Sequence, residues 1–288
     1  MQSITFTCEI ITPMFLSGAD GTTPELRAPS IKGAMRFWWR AMHGHLDLDK
    51  LKEKEAKIFG SPDEKFGRSK VLIRVPPPTQ PLTVNKNGQM VPHKPNMTRP
   101  AFNAKQRFDV HLSLMPTDAF TFEQLKNLFI LTCVLGGFGK RVRRGMGSVS
   151  VVGCSDSSWK KEPIDLAYIH RLIQPLSAHY RLGPSSIQST YAGRTGEYPW
   201  LEQVEIGKPN EKVLRLISDT THKVKEANGR KYESALGHAF KGRFASPIYV
   251  STIVGSIKPI ISTLHAVPGT GFGVDSRVQK EFKRSILE

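Results

Sequence analysis

The segment from Gly136 to Gly147 has the residue types best suited to binding phosphate. Its sequence, GGFGKRVRRGMG, combines five glycines with four basic residues and no acidic residue. Glycine allows positive φ angles and close backbone approach, so N–H groups can point at phosphate oxygens while arginines form two-pronged hydrogen bonds. We call this segment the glycine-arginine loop. It is typical of a contact with a bent single strand, and the alternative is a flexible, solvated turn between a helix and a strand.

A second group of basic residues lies on one face of a predicted helix. Lys32, Arg36 and Arg40 are spaced four residues apart, and His43 extends the same face. Like charges at this spacing repel each other by about 0.2–0.5 kcal/mol per pair, so an anionic partner would compensate for them. Trp39 borders the face and could stack on a base, although aromatic residues in such a helix more often belong to the core. The pattern favours binding of a polyanion.

The glycine-arginine loop does not match either common nucleotide-binding motif. No Ser or Thr follows Gly139 and Lys140, as the Walker motif requires, and Val142 occupies the last position of a GxGxxG pattern. The three cysteines of the chain are far apart and lack the CxxC spacing of a zinc site or of a disulfide framework. We therefore expect neither a cofactor nor a bound metal.

The composition points to a soluble protein with a polyanionic partner. Of the 288 residues, 41 are Lys or Arg and 25 are Asp or Glu, which gives a formal net charge of +16. Such an excess favours nucleic acid as the partner. No apolar run approaches the roughly 18 residues of a membrane span. The first residues lack the basic and apolar regions of a signal peptide, so we expect a cytoplasmic protein without a membrane partner.

The first half of the chain predicts the element order β-α-β-β-α-β. Strands are predicted at residues 4–10, 71–75, 108–114 and from 149, and helices at 31–42, 47–59 and 121–135. Thr121 and Gln124 resemble a capping box at the start of the last helix. The proline-rich residues 76–104 are predicted to form a long insertion loop that projects from the body. This order is that of a ferredoxin-like fold, which RRM modules use to present a sheet to RNA.

The second half, from about residue 159, predicts fewer elements. We expect a helix through residues 213–224, a pair of strands within 248–261 and a final amphipathic helix at 274–286. A second, degraded copy of the first unit would explain this inventory. The length of the chain is consistent with two domains of about 150 residues each.

Several short motifs along the chain point to the same protein family. They are Glu25-Leu26-Arg27, Pro29-Ser30-Ile31-Lys32-Gly33, Arg36-Phe37-Trp38-Trp39-Arg40, Ile58-Phe59-Gly60-Ser61, the glycine-arginine loop, and Gly242-Arg243 with Ser246-Pro247-Ile248. They resemble the RAMP superfamily of CRISPR proteins, and the first three look like the signature of one RAMP subunit of the type III-B (Cmr) complex. The strong motifs cover Pro13 to Ser61 and Leu135 to Ser148.

The resemblance implies an α+β fold of tandem ferredoxin-like, RRM-like domains, at residues 1–158, including the insertion, and 159–288. It also implies assembly with other Cmr subunits on CRISPR guide RNA and target RNA, without a small-molecule substrate. Base pairing would then select the sequence while the protein contacts the backbone. The residues expected to bind RNA are Arg27, Lys32, Arg36, Trp39, Arg40, His43, Gly137, Gly139, Lys140, Arg141, Arg143, Arg144 and Gly145.

Some RAMP relatives cleave RNA, either with histidine and no metal or with an aspartate in the loop after the first strand. Asp20 occupies such a loop, but an aspartate beside a glycine commonly forms a turn. His43 and His45 are two residues apart, and on a helix they would point in different directions, which disfavours a shared metal or an acid-base pair. We therefore expect a non-catalytic subunit in antiviral defence. A metal-independent RAMP endoribonuclease that processes CRISPR RNA and a protein-only scaffold are the alternatives.

Overall fold

The protein has a mixed α/β fold built on two antiparallel sheets and a two-stranded hairpin. The computed structural model describes residues 1–191, 197–238, 244–253, 257–267 and 274–288. The first elements are β1 (Gln2–Ile10), α1 (Ala28–Ala41), α2 (Leu48–Phe59), β2 (Val71–Arg74), β3 (Val84–Gln89), β4 (Thr98–Phe102), β5 (Arg107–Leu114), α3 (Phe122–Leu135) and β6 (Val149–Cys154). Next come α4 (Leu166–Ile173), β7 (Tyr180–Leu182), β8 (Ser186–Ser189), β9 (Leu201–Ile206), α5 (Val213–Asn228), α6 (Arg230–Leu236), β10 (Ile248–Thr252), β11 (Pro259–Leu264) and α7 (Ser276–Leu287). Among the described residues, no helix is long and apolar enough to cross a membrane.

The first sheet has the strand order β2-β5-β1-β6, and every neighbouring pair is antiparallel. Alternate residues of β1, among them Phe6 and Ile10, are fully buried, as the period-2 pattern predicts. The ring of Phe6 stacks on that of Phe129 in α3, with the centroids 5.1 Å apart. The apolar face of this sheet is therefore covered by α3.

The opposite face of the two central strands carries pairs of polar side chains. Thr5 Oγ1 on β1 lies 2.6 Å from His111 Nδ1 on β5. Thr7 Oγ1 donates a hydrogen bond of 2.8 Å to Asp109 Oδ1, again from β1 to β5. Cross-strand pairs of this kind stabilise the pairing and fix its register.

Local signals in the sequence explain where the helices of the first half begin. Thr121 Oγ1 accepts a hydrogen bond from Gln124 N, and Gln124 Oε1 accepts one from Thr121 N, which confirms the predicted capping box at α3. Asp47 accepts a hydrogen bond from Lys50 N at the start of α2. Pro29 lies in the first turn of α1, where a missing N–H costs nothing.

The second sheet has the strand order β10-β11-β9-β8-β7 and is also antiparallel throughout. The predicted helix at 213–224, the pair of strands within 248–261 and the final helix are confirmed as α5, β10 with β11, and α7. The sequence did not predict α4, β7, β8 or β9, which are three to eight residues long. Elements this short show too few periods of a hydrophobic pattern to be recognised.

The two sheets are joined through a common core. The ring centroids of Trp38 in α1 and Tyr249 in β10 lie 5.1 Å apart. Ser251 Oγ in β10 donates a hydrogen bond of 2.5 Å to Val134 O in α3. The first half therefore buries apolar surface against the second half.

Residues 76–104 contain more structure than the sequence predicts. β3 and β4 pair as an antiparallel hairpin within this segment. Ala101 is buried beside Phe15 and Met146, and Phe102 forms a β-bridge with Met14. The expectation of a long projecting loop is wrong, because the apolar end of β4 packs onto the body of the protein.

Candidate nucleic-acid interface

Four glycines of the glycine-arginine loop adopt positive φ angles, namely Gly137, Gly139, Gly145 and Gly147. At two of them the chain passes too close to itself for a side chain to fit. A Cβ on Gly137 would lie 2.1 Å from Gly147 O, and a Cβ on Gly147 would lie 2.0 Å from Phe138 O. The folded shape of the loop itself therefore requires these two glycines.

Several N–H groups of the loop are bonded to the protein's own backbone. Phe138 donates to Gly147 O at 2.9 Å, Lys140 donates to Phe15 O at 2.9 Å, and Gly147 donates to Pro13 O at 3.0 Å. The prediction that successive N–H groups point at phosphates is wrong for these three residues. A donor that is already bonded to a carbonyl group is not available to a ligand.

The second half of the chain holds the guanidinium group of Arg143. This group donates a hydrogen bond to Ser246 O and lies 4.5 Å from the ring centroid of Tyr249 and 5.6 Å from that of Phe37. Contacts between a cation and an aromatic face are attractive, more so when water is excluded. These contacts place Arg143 in the junction between the two halves rather than in the predicted RNA contact.

Arg144 makes more contacts in the same junction. Its Nη1 donates to Ser246 Oγ at 3.1 Å and to Ile248 O at 3.2 Å, and its Nη2 donates to Leu236 O at 3.2 Å. Its guanidinium carbon lies 5.2 Å from the ring centroid of Phe282 in α7. These contacts give Arg144 a structural role, which joins the loop to α6, β10 and α7, while its contact with RNA stays a prediction.

Other basic residues near the loop remain at the surface. Lys140 is exposed, and its Nζ donates a hydrogen bond of 2.6 Å to Gly21 O. Arg27 directly precedes α1, and its Nε lies 3.7 Å from Glu25 Oε1. Arg141 is half-buried and adopts a φ angle of 61°. Lys140 and Arg27 thus present their charge to solvent at one end of the loop.

The basic face of α1 packs against α2. Arg36 Nε and Arg40 Nη1 both bind Glu55 Oε1, at 2.7 and 2.5 Å, and Glu55 is buried. Burial, and then the charge of Arg36, lower the pKa of Lys32, whose Nζ lies 3.4 Å from Val71 O. The repulsion between these cations does not require an external anion, because Glu55 supplies the compensating charge. Arg36 and Arg40 keep 40% and 35% of their side chains exposed.

The side chains of Trp39 and His43 lie in the core. Trp39 is 2% exposed and His43 is 9% exposed. Their rings stack with the centroids 4.1 Å apart, and the ring of Trp39 also meets that of Phe59 in α2. Trp39 and His43 therefore do not lie on an open basic face of α1, because this part of α1 is packed against α2. Their contact with RNA stays a prediction.

Burial makes His43 unusually hard to protonate. It lowers the pKa of His43 to about 4, with the positive charges of His45, Lys54 and His179 acting in the same direction. The hydrogen bond of 2.6 Å between His43 Nδ1 and Trp39 O opposes this effect. His43 is therefore neutral at physiological pH.

An acid-dependent loss of stability is expected from His43. Its pKa is about 6.5 in an unfolded chain, so the unfolded state binds more protons between pH 6.5 and pH 4, and the free energy of unfolding falls as the pH drops through this window. Between pH 7 and pH 5 this single residue should lower the free energy of unfolding by about 2 kcal/mol. Urea unfolding at both pH values should show a smaller drop in His43→Gln than in the wild type. His222→Gln is the control, because His222 is exposed. An equal drop in His43→Gln would contradict the expectation.

A sequence model of the RAMP superfamily matches residues 7–150, half of the 288-residue chain. The chain belongs to the RAMP superfamily. The matched range runs from β1 into β6 and includes α1, α2 and the glycine-arginine loop.

Two relatives of this RAMP protein come from Pyrococcus furiosus. The CRISPR system Cmr subunit Cmr1-2 is 33% identical over 179 residues, which cover 52% of this chain and 96% of the relative. The subunit Cmr1-1 is 37% identical over 147 residues, which cover 46% of this chain and 42% of that protein.

Solved structures share the fold over nearly the whole chain. The crystal structure of apo Cmr1 from Pyrococcus furiosus superposes with a TM-score of 0.66 at 22% identity, covering 99% of this chain and 97% of that one. A chain of the cryo-EM structure of the type III-B Cmr-beta complex bound to cognate target RNA gives a TM-score of 0.58 at 10% identity, covering 99% of both chains.

In this RAMP protein, the predicted site is divided between two sides of α1. The loop contacts one side, where a Cβ on Gly136 would lie 2.4 Å from Trp38 Nε1 and where Arg143 lies above Phe37. The basic face lies on another side and turns toward Glu55 on α2. The loop and the basic face therefore involve different sides of α1.

Asp20 does not have the surroundings of a catalytic aspartate. Its carboxylate accepts hydrogen bonds from Thr22 N at 2.9 Å and from Thr23 N at 3.0 Å. The side-chain hydrogen bond from Thr23, with these backbone bonds, lowers the pKa of Asp20. These contacts form the turn that the sequence favoured over a catalytic role.

The histidines near the end of α1 are arranged differently from the prediction. Because α1 ends at Ala41, His43 and His45 lie beyond the helix, and their ring centroids are 5.7 Å apart. His179 joins them, with its ring centroid 4.2 Å from that of His45. In the part of the chain that the structure describes, no group of three or more His, Cys, Asp or Glu residues is arranged to hold a metal ion.

Two residues at these sites were missed from the sequence. Glu55 could have been found, since it lies four residues after Leu51 and three before Ile58, on the apolar face of α2. His179 gave no local signal, because it meets His45 only through the tertiary fold. Gly242 and Arg243, part of the resemblance in the second half, lie outside the described residues.

Proposed function

We propose that this chain is an RNA-binding subunit of a type III-B (Cmr) CRISPR effector complex and contacts the backbone of guide or target RNA. The observation that carries the proposal is the 33% identity to Cmr1-2 over 96% of that subunit. The net charge of +16 suits a polyanionic partner. The shared fold with a chain of a Cmr-beta complex bound to target RNA supports the same conclusion. Its partners would be the other Cmr subunits and the two RNAs, in the cytoplasm and without a small-molecule substrate.

We infer two tandem ferredoxin-like domains, residues 1–158 and 159–288. The first sheet has the order β2-β5-β1-β6, and the second has β10-β11-β9-β8 with β7 added at the edge. In the second unit, β9, β10 and β11 take the places of β1, β2 and β5. The fourth place is filled by β8, which precedes β9 in the chain. This replacement is what makes the second unit a degraded copy.

The surface at the end of the glycine-arginine loop is the part best placed to meet RNA. Lys140 is exposed and Arg27 is partly exposed. The hydrogen bond from Glu25 N to Leu16 O brings the segment before Arg27 beside Phe15, which forms a β-bridge with Lys140. Gly139, with a φ angle of 98°, lets the loop pack against the backbone of Phe15 and so positions Lys140. Lys32, Arg36 and Arg40 would add a weaker contact from α1, since Glu55 neutralises part of their charge.

The double variant Arg27→Gln and Lys140→Gln tests this surface. Each lost phosphate contact should reduce the salt dependence of RNA binding by about 0.7, so the pair should reduce it by about 1.4 and weaken affinity at low salt. The measurement is RNA binding by the assembled complex over a range of salt concentrations.

Lys160→Gln with Lys161→Gln provides the matched control, because both residues are exposed and the change in net charge is the same. This control should leave the salt dependence as in the wild type. If the Arg27 and Lys140 variant also keeps the salt dependence of the wild type, this surface does not bind RNA.

We infer that the chain binds RNA without cutting it. Asp20 is committed to a turn, and His43 is buried and neutral. Incubation of the chain with labelled repeat RNA, with and without EDTA, should leave the RNA intact. Specific cutting that is lost on His43→Gln would establish the alternative, a metal-independent endoribonuclease.

A further inference from the structure

A cavity of about 420 Å³ lies beside the end of α1, between α2 and the segment that follows α4. Five of its lining residues are histidines or lysines, and we call it the histidine pocket. They are His43, His45, Lys54, Lys57 and His179. The pocket uses none of the residues of the surface formed by Lys140 and Arg27.

The rim of the pocket is basic. Lys54 and Lys57 lie on consecutive turns of α2 and are both exposed. Lys57 forms an ion pair of 2.8 Å with Glu53, whereas Lys54 has no carboxylate within 4.0 Å in the described part of the chain. None of the residues that line the pocket is acidic. The rim is therefore suited to an anionic group.

His43 places a hydrogen-bond acceptor inside the pocket. Its Nδ1 lies 2.6 Å from Trp39 O, and since a carbonyl group only accepts, Nδ1 carries the proton. In the neutral ring, Nε2 then has a free lone pair. Among the described residues, no partner within hydrogen-bonding distance engages His43 Nε2. An acceptor without a protein partner on a residue that lines the pocket is suited to an N–H or O–H group of a ligand.

The remaining wall of the pocket is apolar. Trp39, Phe120 and Leu176 line it and are all buried. Next to them, the rings of His45 and His179 lie 4.2 Å apart between centroids, tilted by 35° to each other, and add partly exposed aromatic surface. An apolar wall, an acceptor without a protein partner and a basic rim within one small cavity match a ligand with a flat ring, an N–H donor and a negative charge.

We propose that the histidine pocket binds a nucleotide. The base lies against the apolar wall and donates an N–H to His43 Nε2, while the phosphate group binds Lys54 and Lys57 at the rim. Free nucleotides and the nucleotides of single-stranded RNA share this chemistry. The proposal concerns a second site and does not depend on RNA binding at Lys140 and Arg27.

Calorimetric titration of the full chain with adenosine 5′-monophosphate and with a short adenosine oligoribonucleotide tests the proposal. Lys54→Gln with Lys57→Gln should weaken binding of at least one of these probes about 10-fold, since two charge-assisted hydrogen bonds are lost. Lys50→Gln with Lys52→Gln, on the same helix but outside the pocket, makes the same change in charge and should have little effect. Binding of both probes assigns the pocket to nucleotides in general, and binding of the oligonucleotide alone assigns it to RNA.

A second variant tests the contact with the base. His43→Phe should weaken binding of adenosine 5′-monophosphate and leave binding of ribose 5-phosphate unchanged, because only the base donates to Nε2. The exposed lysine pair keeps the proposal testable if His43→Phe does not fold. The proposal is overturned if the two lysine variants weaken binding equally, or if neither probe responds to the loss of Lys54 and Lys57. The Arg27 and Lys140 variant should bind adenosine 5′-monophosphate normally, which separates this site from the proposed function.

Discussion

Replacing Arg144 with leucine is expected to lower the free energy of unfolding by about 3 kcal/mol, because two buried carbonyl groups each lose a charged hydrogen-bond donor. Arg144 donates to Leu236 O and Ile248 O and contacts the ring of Phe282. Leucine keeps part of the apolar contact but none of the hydrogen bonds. Urea unfolding at pH 7 measures the loss.

The matched control is Arg171→Leu. Arg171 pairs with Glu162 at the surface, and 60% of its side chain is exposed, so the change should stay within about 0.5 kcal/mol. RNA binding separates the two possible roles of Arg144. A variant with unchanged stability but weaker RNA binding would restore the interpretation that the sequence first favoured.

Gly147→Ala is expected to cost at least about 3 kcal/mol or to prevent folding, since its Cβ would lie 2.0 Å from Phe138 O. The φ angle of 67° adds strain for any residue with a Cβ. The neighbouring atom belongs to the backbone, so the clash can be relieved only by moving the chain. Thermal unfolding and soluble yield measure the effect.

Gly33→Ala is expected to change stability in the opposite direction. Gly33 lies in α1 at an exposed position, and a Cβ there would meet no atom within 4 Å. Alanine should stabilise the helix by up to about 1 kcal/mol. Equal changes in stability for the two substitutions would show that the loop backbone does not pass as close to Gly147 as described.

Strong local patterns predicted much of the fold correctly. The alternation in β1 and the capping box at Thr121 were sufficient to place these elements. Residues whose meaning depends on distant partners could not be interpreted in this way. From the sequence alone, Arg144 resembles a solvent-exposed cation. Ser246 and Ile248, which accept its hydrogen bonds, lie about a hundred positions away.

The candidate site was predictable in part for the same reason. The resemblance to RAMP proteins identified the family and the glycine-arginine loop. The charge on α1 was visible from the spacing of Arg36 and Arg40, but its neutralisation by Glu55 depends on how α1 and α2 pack. Sequence spacing places residues on a face of a helix, and only the tertiary structure shows what covers that face.

The polar pairs on the first sheet limit how this protein could distinguish the bases of a bound RNA. RRM modules recognise bases by stacking them on aromatic residues of the central strands. Here the corresponding face carries Thr5 with His111 and Thr7 with Asp109, whose polar atoms bind each other across β1 and β5. The outward positions of β1 and β5 carry no Phe, Tyr or Trp, so this face offers no such stacking platform. In the proposed function, the same subunit would then serve guides of different sequences, and a new spacer would require no change in the protein.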